Sequence, residues 1–472
     1  MGAKREQCAD QPPTPPPTLP PPQTTNLLLA AGAAALATPA ALVPDLPPLQ
    51  EVAALHRDTA AELGVDAGTA AEIDALLAEL TQLLVGVSIV QELTPRARDS
   101  LVSFGERMSV RLFAAHLAAE GVPARAVDAF RAGVVTSDDF GAADVDYAAS
   151  LPALKAELAP AGRDAAGGPP RIAVVTGFLG RGARTGAVTT LGRGGSDLTA
   201  TLLGAALGVA EVQVWKDVDG VLTGDPRIAP RAAPVPALTY DEATELAFFG
   251  AAVLHPLAMQ PAFVESGEGE GGGGWSPSTP PSTPRPKKRQ LGVRVKNSYN
   301  RAAPGTLITR ERDTAHALVT SVVLKDGVTM VDAVSTRMPG QVGFLAALFN
   351  VFRDCGVSVD VVATSEISVS LTLDPARLWD RDLVDSELEA LLASLSSVAT
   401  VNATVGVGCV SLICNVARTA TILERAFRAL GAARVPVLMM SQGASKTNIS
   451  LVVGQGRGED AVRALHAEFF EH

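Results

Sequence analysis

The feature that most constrains this fold is a pattern that occurs twice in the C-terminal third. Val328 to Val334 has the texture of a strand, Gly343 to Asp354 has helical spacing, Val357 to Thr364 and Ser368 to Leu373 read as two further strands, and Leu383 to Leu395 as the next helix. Cys409 to Asn415, Thr421 to Leu430, Val435 to Ser441, Asn448 to Val453 and Glu459 to Phe469 repeat that order. The repeat predicts two copies of a small split βαβ unit, whose sheet edges pair across copies or subunits.

Upstream, helices and short apolar strands alternate. Ile73 to Leu84 and Met108 to Leu117 carry apolar residues at helical spacing, and Ser103-x-x-Glu106 reads as a capping box. Arg171 to Thr176 reads as a buried strand and Glu211 to Lys216 as another, while Thr239-x-x-Glu242 caps a helix ending near Gly250. Such alternation predicts an α/β domain with a mainly parallel sheet between helix layers. Two low-complexity blocks interrupt it. Pro12 to Pro22 can form neither helix nor central strand, and Ser266 to Gln290 runs through four glycines into Pro-Ser-Thr repeats and the solvated cluster Lys287-Lys288-Arg289.

Lys and Arg number 39 against 50 for Asp and Glu, a net charge of −11, which argues against a nucleic-acid surface. Cys8, Cys355, Cys409 and Cys414 show no metal-ligand spacing, so reduced thiols are expected, with Cys355 and Cys409 in the core. No uninterrupted apolar run approaches the ~18 residues of a membrane span, so a soluble chain with no membrane partner is expected. Met1 to Asp10 carries neither a secretory nor a transit pattern.

The chemistry concentrates at Gly192-Arg193-Gly194-Gly195-Ser196-Asp197, where an extended segment hands over to the apolar helical run Leu198 to Leu207. Three glycines let backbone N–H groups approach a ligand, and Ser196 and Asp197 suit the first turn of the helix. Arg193 offers a cation for a carboxylate or phosphate and Asp197 an anion for an ammonium, which fits a zwitterionic substrate. The competing reading is a glycine-rich turn that only caps the helix.

Five further strings stand in order along the chain: Ser103-Phe104-Gly105-Glu106, Thr176-Gly177-Phe178-Leu179-Gly180, Thr190-Leu191 leading into the hexapeptide, Val214-Trp215-Lys216-Asp217-Val218-Asp219-Gly220, and Phe249-Gly250-Ala251-Ala252-Val253-Leu254-His255-Pro256. Together they resemble the aspartate kinases, in particular the monofunctional, lysine-sensitive plant and algal type, and the C-terminal repeat resembles that family's tandem ACT domains. The resemblance implies an amino acid kinase domain over 23–312 after a disordered 1–22, with 266–290 as an insertion, then ferredoxin-like βαββαβ ACT domains over 320–406 and 407–472. It also implies ATP- and Mg²⁺-dependent phosphorylation of the L-aspartate side-chain carboxylate, the first step toward lysine, threonine and methionine, with lysine as feedback inhibitor. A homodimer formed through the ACT domains and a chloroplast location, otherwise cytoplasmic, follow from the same resemblance.

Carried over by position, Arg193 pairs with a substrate carboxylate, Glu106 and Asp197 hold the ammonium or organise the site, and Thr25, Phe178 and Ser196 line the substrate. Lys216, Asp217, Asp219 and Gly220 lie under the nucleotide, Asp225-Pro226-Arg227 near its phosphates, and Val295, Lys296 and Asn297 beside the base. Met338, Gln341, Gly343, Phe344, Ser358, Val359, Asp360, Ser365 and Glu366 match the effector positions, a helix N-terminus facing the effector carboxylate and Asp360 and Glu366 its ammonium groups. Glu106 could instead only cap its helix, Asp217 only cap a turn, and Asp360 and Glu366 be solvated strand-end charges. His255 reads as a packed histidine rather than a base. The sequence departs from the family in lacking the Lys-Phe-Gly-Gly-Thr-Ser string that serves the ATP phosphates. Two expectations follow: a misassembled reading frame, which would also explain 266–290, or a catalytically impaired, amino-acid-binding regulatory protein. Retention of Glu106, Arg193 and Asp197 together favours the first.

Overall fold

Caps and prolines set the first helices. A computed structural model describes residues 24–158, 171–249, 254–263, 291–313, 317–334, 343–365, 368–373, 385–442 and 447–471, so the Pro12 to Pro22 and Ser266 to Gln290 blocks, Cys8, Met338, Gln341 and Glu366 lie outside the described residues. The chain divides into two compact units, residues 1–146 with 160–191 and residues 147–159 with 192–472.

In the first unit α1 (Thr24–Ala35) and α2 (Pro47–Glu62) are followed by α3 (Ala67–Val90) and α4 (Pro95–Ala119). The Asp66 carboxylate caps α3 by accepting the Thr69 N–H at 3.0 Å, and Thr94 Oγ1 caps α4 by accepting the Ala97 N–H at 3.1 Å, with Pro95 in its first turn. Leu28, Ala31, Val52, Leu80, Leu84, Leu101 and Met108 from all four helices are fully buried in one core. Each large apolar side chain among them contributes about 1.5–3 kcal/mol by leaving water. By length and composition α3 could cross a membrane, a feature that counting uninterrupted apolar residues passed over; here Ile73, Leu76, Leu77, Leu80, Leu84 and Val87 form its core-facing stripe.

The same unit holds β1 (Ala124–Val127), α5 (Ala129–Ala132), β2 (Val135–Thr136), β3 (Ile172–Val175), β4 (Leu179–Gly182) and β5 (Val188–Thr190). β1 pairs with β3 and β2 with β4 in parallel, and β4 with β5 antiparallel. The strand expected at Arg171 to Thr176 forms as β3 but is not buried: Ile172 is 53% exposed, because β3 has a ladder partner on one edge only among the described residues. Asp99 of α4, 2% exposed, accepts hydrogen bonds from the Thr190 N–H, the Thr190 hydroxyl and the Gly141 N–H, each at 2.9 Å, which fastens α4 to β5. The capping box expected at Ser103 is absent. Ser103 is buried inside α4 and its hydroxyl donates to the Ser100 carbonyl at 2.7 Å, so Glu106 is not a cap.

The second unit begins with α6 (Tyr147–Leu158) and α7 (Gly195–Leu207), then β6 (Glu211–Lys216), β7 (Ala237–Thr239), α8 (Tyr240–Phe248), a 3-10 turn at Pro256–Met259, α9 (Gln260–Phe263), β8 (Gly292–Asn297) and β9 (Thr306–Thr309). The sheet order is β6-β8-β9-β7, with β6/β8 and β7/β9 parallel and β8/β9 antiparallel. The expected parallel pairing therefore holds in both units, each with an antiparallel pair added.

Ten further elements complete this unit: β10 (Val319–Val334), α10 (Phe344–Asp354), β11 (Val362–Thr364), β12 (Ser368–Leu373), α11 (Asp385–Leu395), β13 (Thr400–Cys414), α12 (Thr419–Ala432), β14 (Val437–Gln442), β15 (Asn448–Val453) and α13 (Gly458–Phe470). They form one six-stranded sheet, β11-β12-β10-β13-β15-β14. β10 and β13 are long because each serves both copies of the repeat. Val334 pairs with Thr400 in the first copy and Val319 with Cys414 in the second, and the register shifts between Lys325 and Val328. Gly327 and Gly406, at φ 72° and 76°, take the left-handed backbone of that irregularity. Val319 and Val322 share a core with Val410, Leu412, Ile422 and Leu465. The second copy thus draws one strand from chain that precedes the first. The strand expected over Val357 to Thr364 shortens to β11, and Cys355, expected in the core, is exposed at the C-terminal cap of α10. Burial pushes the Cys409 thiol up to about 11 and the Cys414 thiol to about 12, so both are inert.

The expected capping box at Thr239 is present, and its glutamate does more than cap. Glu242 accepts the Thr239 N–H at 2.8 Å, receives the Thr320 hydroxyl at 2.8 Å and is paired through two nitrogens with Arg312, the side chains being 4% and 14% exposed. Burial alone would raise the Glu242 carboxyl; Arg312 and the other donors outweigh it and hold it below the usual range. Its contribution to stability is present above the unfolded glutamate pKa and is lost as pH falls through the folded one. Arg312→Leu, which leaves a buried carboxylate unpaired, is expected to cost about 3–5 kcal/mol. Urea denaturation of the second unit's transition checks this; a midpoint unchanged at pH 7 would contradict it.

Candidate functional site

The glycine-rich turn folds as its composition dictates. Gly192 and Gly194 have φ of 69° and 74°, and Gly194 is the N-terminal cap of α7 with no side-chain capping bond. Asp197 falls in the first helical turn, where the helix dipole favours a carboxylate. Lys216, the last residue of β6, places its ammonium 3.0 Å from Asp197 Oδ2. The residue expected under the nucleotide is therefore tied to the glycine-rich turn. Arg193 and Lys216 both act electrostatically on the His255 ring, as does Asp197, so these charges and the imidazole share one locale.

The segment after β6 is the nucleotide-side candidate. Asp219 Oδ1 accepts bonds from Asn297 Nδ2 at 2.9 Å and Asn300 Nδ2 at 3.1 Å, joining the loop to the end of β8. Gly220 sits at φ 118°, and a β-carbon there would lie 2.6 Å from Thr306 Oγ1 and 2.9 Å from Thr306 N. Only glycine fits. One expectation is narrowed and one gains a detail. Val295 is fully buried among Val214, Leu238 and Ile308, so its side chain cannot border a base, and only its backbone is available. Arg227 is clamped on the neighbouring Asp225 through Nε at 3.0 Å and Nη2 at 2.6 Å. The sequence reading passed over Trp215, half exposed on β6 with the Lys296 ammonium 4.9 Å from its ring; in Val214-Trp215-Lys216 the outward position of the strand alternation was the available signal.

The loop past Gly220 is fastened to the second copy of the repeat. Leu222 O accepts the Ser321 hydroxyl and Thr223 O the Val322 N–H, both at 2.9 Å, and Thr223 Oγ1 meets the fully buried His466 Nε2 at 3.0 Å.

Thr25, Glu106 and Phe178 belong to the first unit, Arg193, Ser196 and Asp197 to the second. Gly105 allows the start of α1 to approach α4 one residue before Glu106, since a β-carbon there would be 3.1 Å from Thr24 Cγ2. Burial pushes the Glu106 carboxyl above the ordinary range. Phe178 holds φ 67°, a strained value for a non-glycine residue of the kind found where a ligand site dictates backbone.

The effector candidates separate. Phe344, the first residue of α10 after the Gly343 cap, packs with Val359 on one face of the sheet. Asp360 is on the other: its carboxylate is 2.7 Å from Lys325 Nζ, the side chains being 3% and 12% exposed, and that ammonium lies 5.4 Å from the Phe248 ring of α8. Asp360 is thus no solvated strand-end charge, and within the chain it does not face the start of α10. Ser358 precedes it, and Ser365 Oγ is 2.7 Å from Ser368 Oγ, which opens β12.

Comparison with known proteins agrees with this architecture. Residues 32–265 match the amino acid kinase family and residues 410–469 an ACT domain. The chain is 52% identical to the chloroplastic aspartokinase 1 of Arabidopsis thaliana over 417 residues, covering 88% of this chain and 68% of the relative. The chain belongs to the aspartokinase family. Its members are phosphotransferases. The lysine-sensitive aspartokinase 3 of Escherichia coli is 32% identical over 85% of this chain and 81% of its own. The structure of E. coli aspartokinase III with aspartate and ADP aligns at TM-score 0.71 and 31% identity, covering 95% of this chain and 91% of the other. The same enzyme with lysine and aspartate aligns at TM-score 0.71 and 29% identity.

The raised Glu106 pKa has a measurable consequence. Between the unfolded and folded values the folded state holds more protons, so ionising this carboxyl destabilises the fold as pH rises. Glu106→Gln is therefore expected to raise the melting temperature at pH 7 and to leave it nearly unchanged at pH 4; a lower value at pH 7 would contradict the assignment.

Proposed function

We propose that this aspartokinase transfers the γ-phosphoryl group of ATP to the side-chain carboxylate of L-aspartate, giving 4-phospho-L-aspartate. The observation that carries the proposal is the Arg193 to Asp197 turn with Lys216 on Asp197 at 3.0 Å. A carboxylate nucleophile is already ionised, so the reaction needs charge neutralisation and in-line placement more than proton transfer. Arg193 meets a carboxylate of the substrate, Asp197 meets its ammonium, and Lys216 offsets the charge that Asp197 adds; in the first unit the desolvated Glu106 is a second candidate for an ammonium. Asp217, Asp219 and the Gly220 backbone border the nucleotide, with Lys296 and Trp215 beside them. Among the described residues no three His, Cys, Asp or Glu side chains converge on a metal-sized site. Mg²⁺ would then be held mainly by nucleotide phosphates, with the Asp217 or Asp219 carboxylate beside them, and would neutralise phosphate charge.

The chloroplastic relatives support a chloroplast location, and the lysine-bound relative supports feedback inhibition by lysine. A homodimer through the ACT copies is supported by the apolar residues left exposed there, Leu345 and Phe349 on α10 and Leu438 and Met440 on the edge strand β14. The Asp360–Lys325 pair against Phe248 supports communication between the first ACT copy and α8.

The full chain with ATP, Mg²⁺ and L-aspartate is expected to form an acyl phosphate that hydroxylamine traps as the hydroxamate. Arg193→Ala is expected to lower kcat/KM for aspartate by at least about a hundredfold. ATP-dependent hydroxamate that is absent, or unaffected by Arg193→Ala, would sink the reading. Lys325→Met is expected to leave kcat within about twofold while shifting half-inhibition by lysine at least about fivefold; an unchanged inhibition curve removes the regulatory part alone.

A further inference from the structure

The Leu254-His255-Pro256 segment plays no part in the chemistry described so far, yet it lies against the acceptor turn. A β-carbon at position 194 would stand 2.1 Å from Cβ, 2.3 Å from Cγ and 2.9 Å from Nδ1 of His255. Nothing but a hydrogen fits between the turn and the ring. The ring is itself fixed on three sides. Pro256 restricts the backbone of His255 to the extended region it occupies, φ −75° and ψ 140°. Nδ1 accepts the Leu257 N–H at 3.4 Å, capping the short 3-10 turn and leaving the proton on Nε2. Leu254, Ala258 and Met259 on either side are buried with Val214 and Val293 of the sheet.

We propose that His255 is the positioning residue of the acceptor turn: its ring occupies the space over Gly194 and holds Arg193 and Asp197 at the geometry that receives the substrate. Gly192 and Gly194 give the turn its left-handed shape but no side chain to keep it, and Gly194 caps α7 without a side-chain bond. A turn so free in the unfolded chain loses much entropy on ordering, and an external wedge that removes its alternatives lowers the cost of each binding event. The groups acting on the ring are Asp197 from α7, Arg193 from the turn and Lys216 from β6. Burial holds the ring below the ordinary histidine range, and Arg193 and Lys216 act in the same direction against Asp197. The ring therefore adds no third cation beside Arg193 and Lys216, and Asp197 stays with Lys216.

The role rests on the aspartate kinase reading, and the test separates the two. The full chain and its His255→Ala and His255→Asn variants are compared for kcat/KM with aspartate, for ADP binding by calorimetry, and for melting temperature. His255→Ala is expected to lower kcat/KM for aspartate by about tenfold to a hundredfold, as a misplaced binding group does, while ADP affinity stays within about twofold. His255→Asn, whose amide oxygen can accept the Leu257 N–H, is expected to recover most of that loss. If the wild-type chain forms hydroxamate but His255→Ala leaves kcat/KM for aspartate unchanged, the positioning role is overturned and the kinase reading stands. Equal losses in aspartate and ADP recognition, with no recovery in His255→Asn, also overturn it. A wild-type chain that forms no hydroxamate overturns the kinase reading itself.

Discussion

The pairing of β10 with β13 is the constraint on which the second unit depends. Neither copy of the repeat can close its sheet without a strand that continues into the other, and the second copy cannot bury Val410, Leu412 and Ile422 without Val319 and Val322 from the head of β10. That head is also where the kinase segment is fastened. Thr320 bonds to Glu242 of α8, Ser321 to the Leu222 carbonyl and Val322 to the Thr223 carbonyl, so three successive residues bind two separate pieces of the catalytic sequence. A strand held by a ladder on one side and a buried ion pair on the other cannot shift by a fraction of a residue without breaking one of them.

This arrangement gives regulation a physical route. The loop from Asp217 to Thr223 leaves β6 beside the proposed nucleotide position and ends in hydrogen bonds to β10 and to His466 of α13. The helix α8 leads toward the segment that carries His255, and its Phe248 touches the ammonium of Lys325. A ligand that repacks the first ACT copy changes the environment of Asp360 and Lys325, and close-packed interiors answer such changes by discrete shifts rather than gradual deformation. The route is short because the head of β10 is hydrogen-bonded directly to the kinase segment, and no long chain of intermediates is required.

Much of this was legible in the sequence, for identifiable reasons. The repeat was readable because strand and helix periods differ, and Ser368 to Leu373 and Asn448 to Val453 came out with the observed limits, since both strands are central and strongly patterned. The exchange of strands was not readable. Val319 to Lys325 looks like any strand, and only the register across Gly327 and Gly406 assigns its two halves to different copies. Ser103-x-x-Glu106 misled because a capping box requires a non-helical residue at its head, and the decisive signal was Thr94-Pro95 nine residues earlier. The charges of the glycine-rich turn, Arg193 and Asp197, were visible in the sequence. What held the turn was not, because the wedge comes from a residue about sixty positions away whose apolar neighbours suggested ordinary packing. The Val295 side chain is lost as a base contact for a simpler reason: strand alternation points it inward, leaving its backbone alone for a base, while Trp215 and Lys296 point outward.

The charges at the turn also explain why its glycines are flanked by a lysine on a different element. Phosphoryl transfer to a carboxylate brings an anionic acceptor toward an anionic donor, so an acceptor site needs cations that are not consumed by its own acids. In the proposed reading Asp197 meets the substrate ammonium, and an uncompensated carboxylate beside Arg193 would capture that guanidinium. Lys216 takes Asp197 at 3.0 Å, from the end of β6 rather than from the turn, which in that reading keeps Arg193 for the substrate. Glu106 is handled the opposite way. Burial raises its carboxyl instead of pairing it, so it gains most when an ammonium arrives. One acid is neutralised in advance by a lysine and the other is held above its ordinary range by burial, two opposite ways of limiting negative charge.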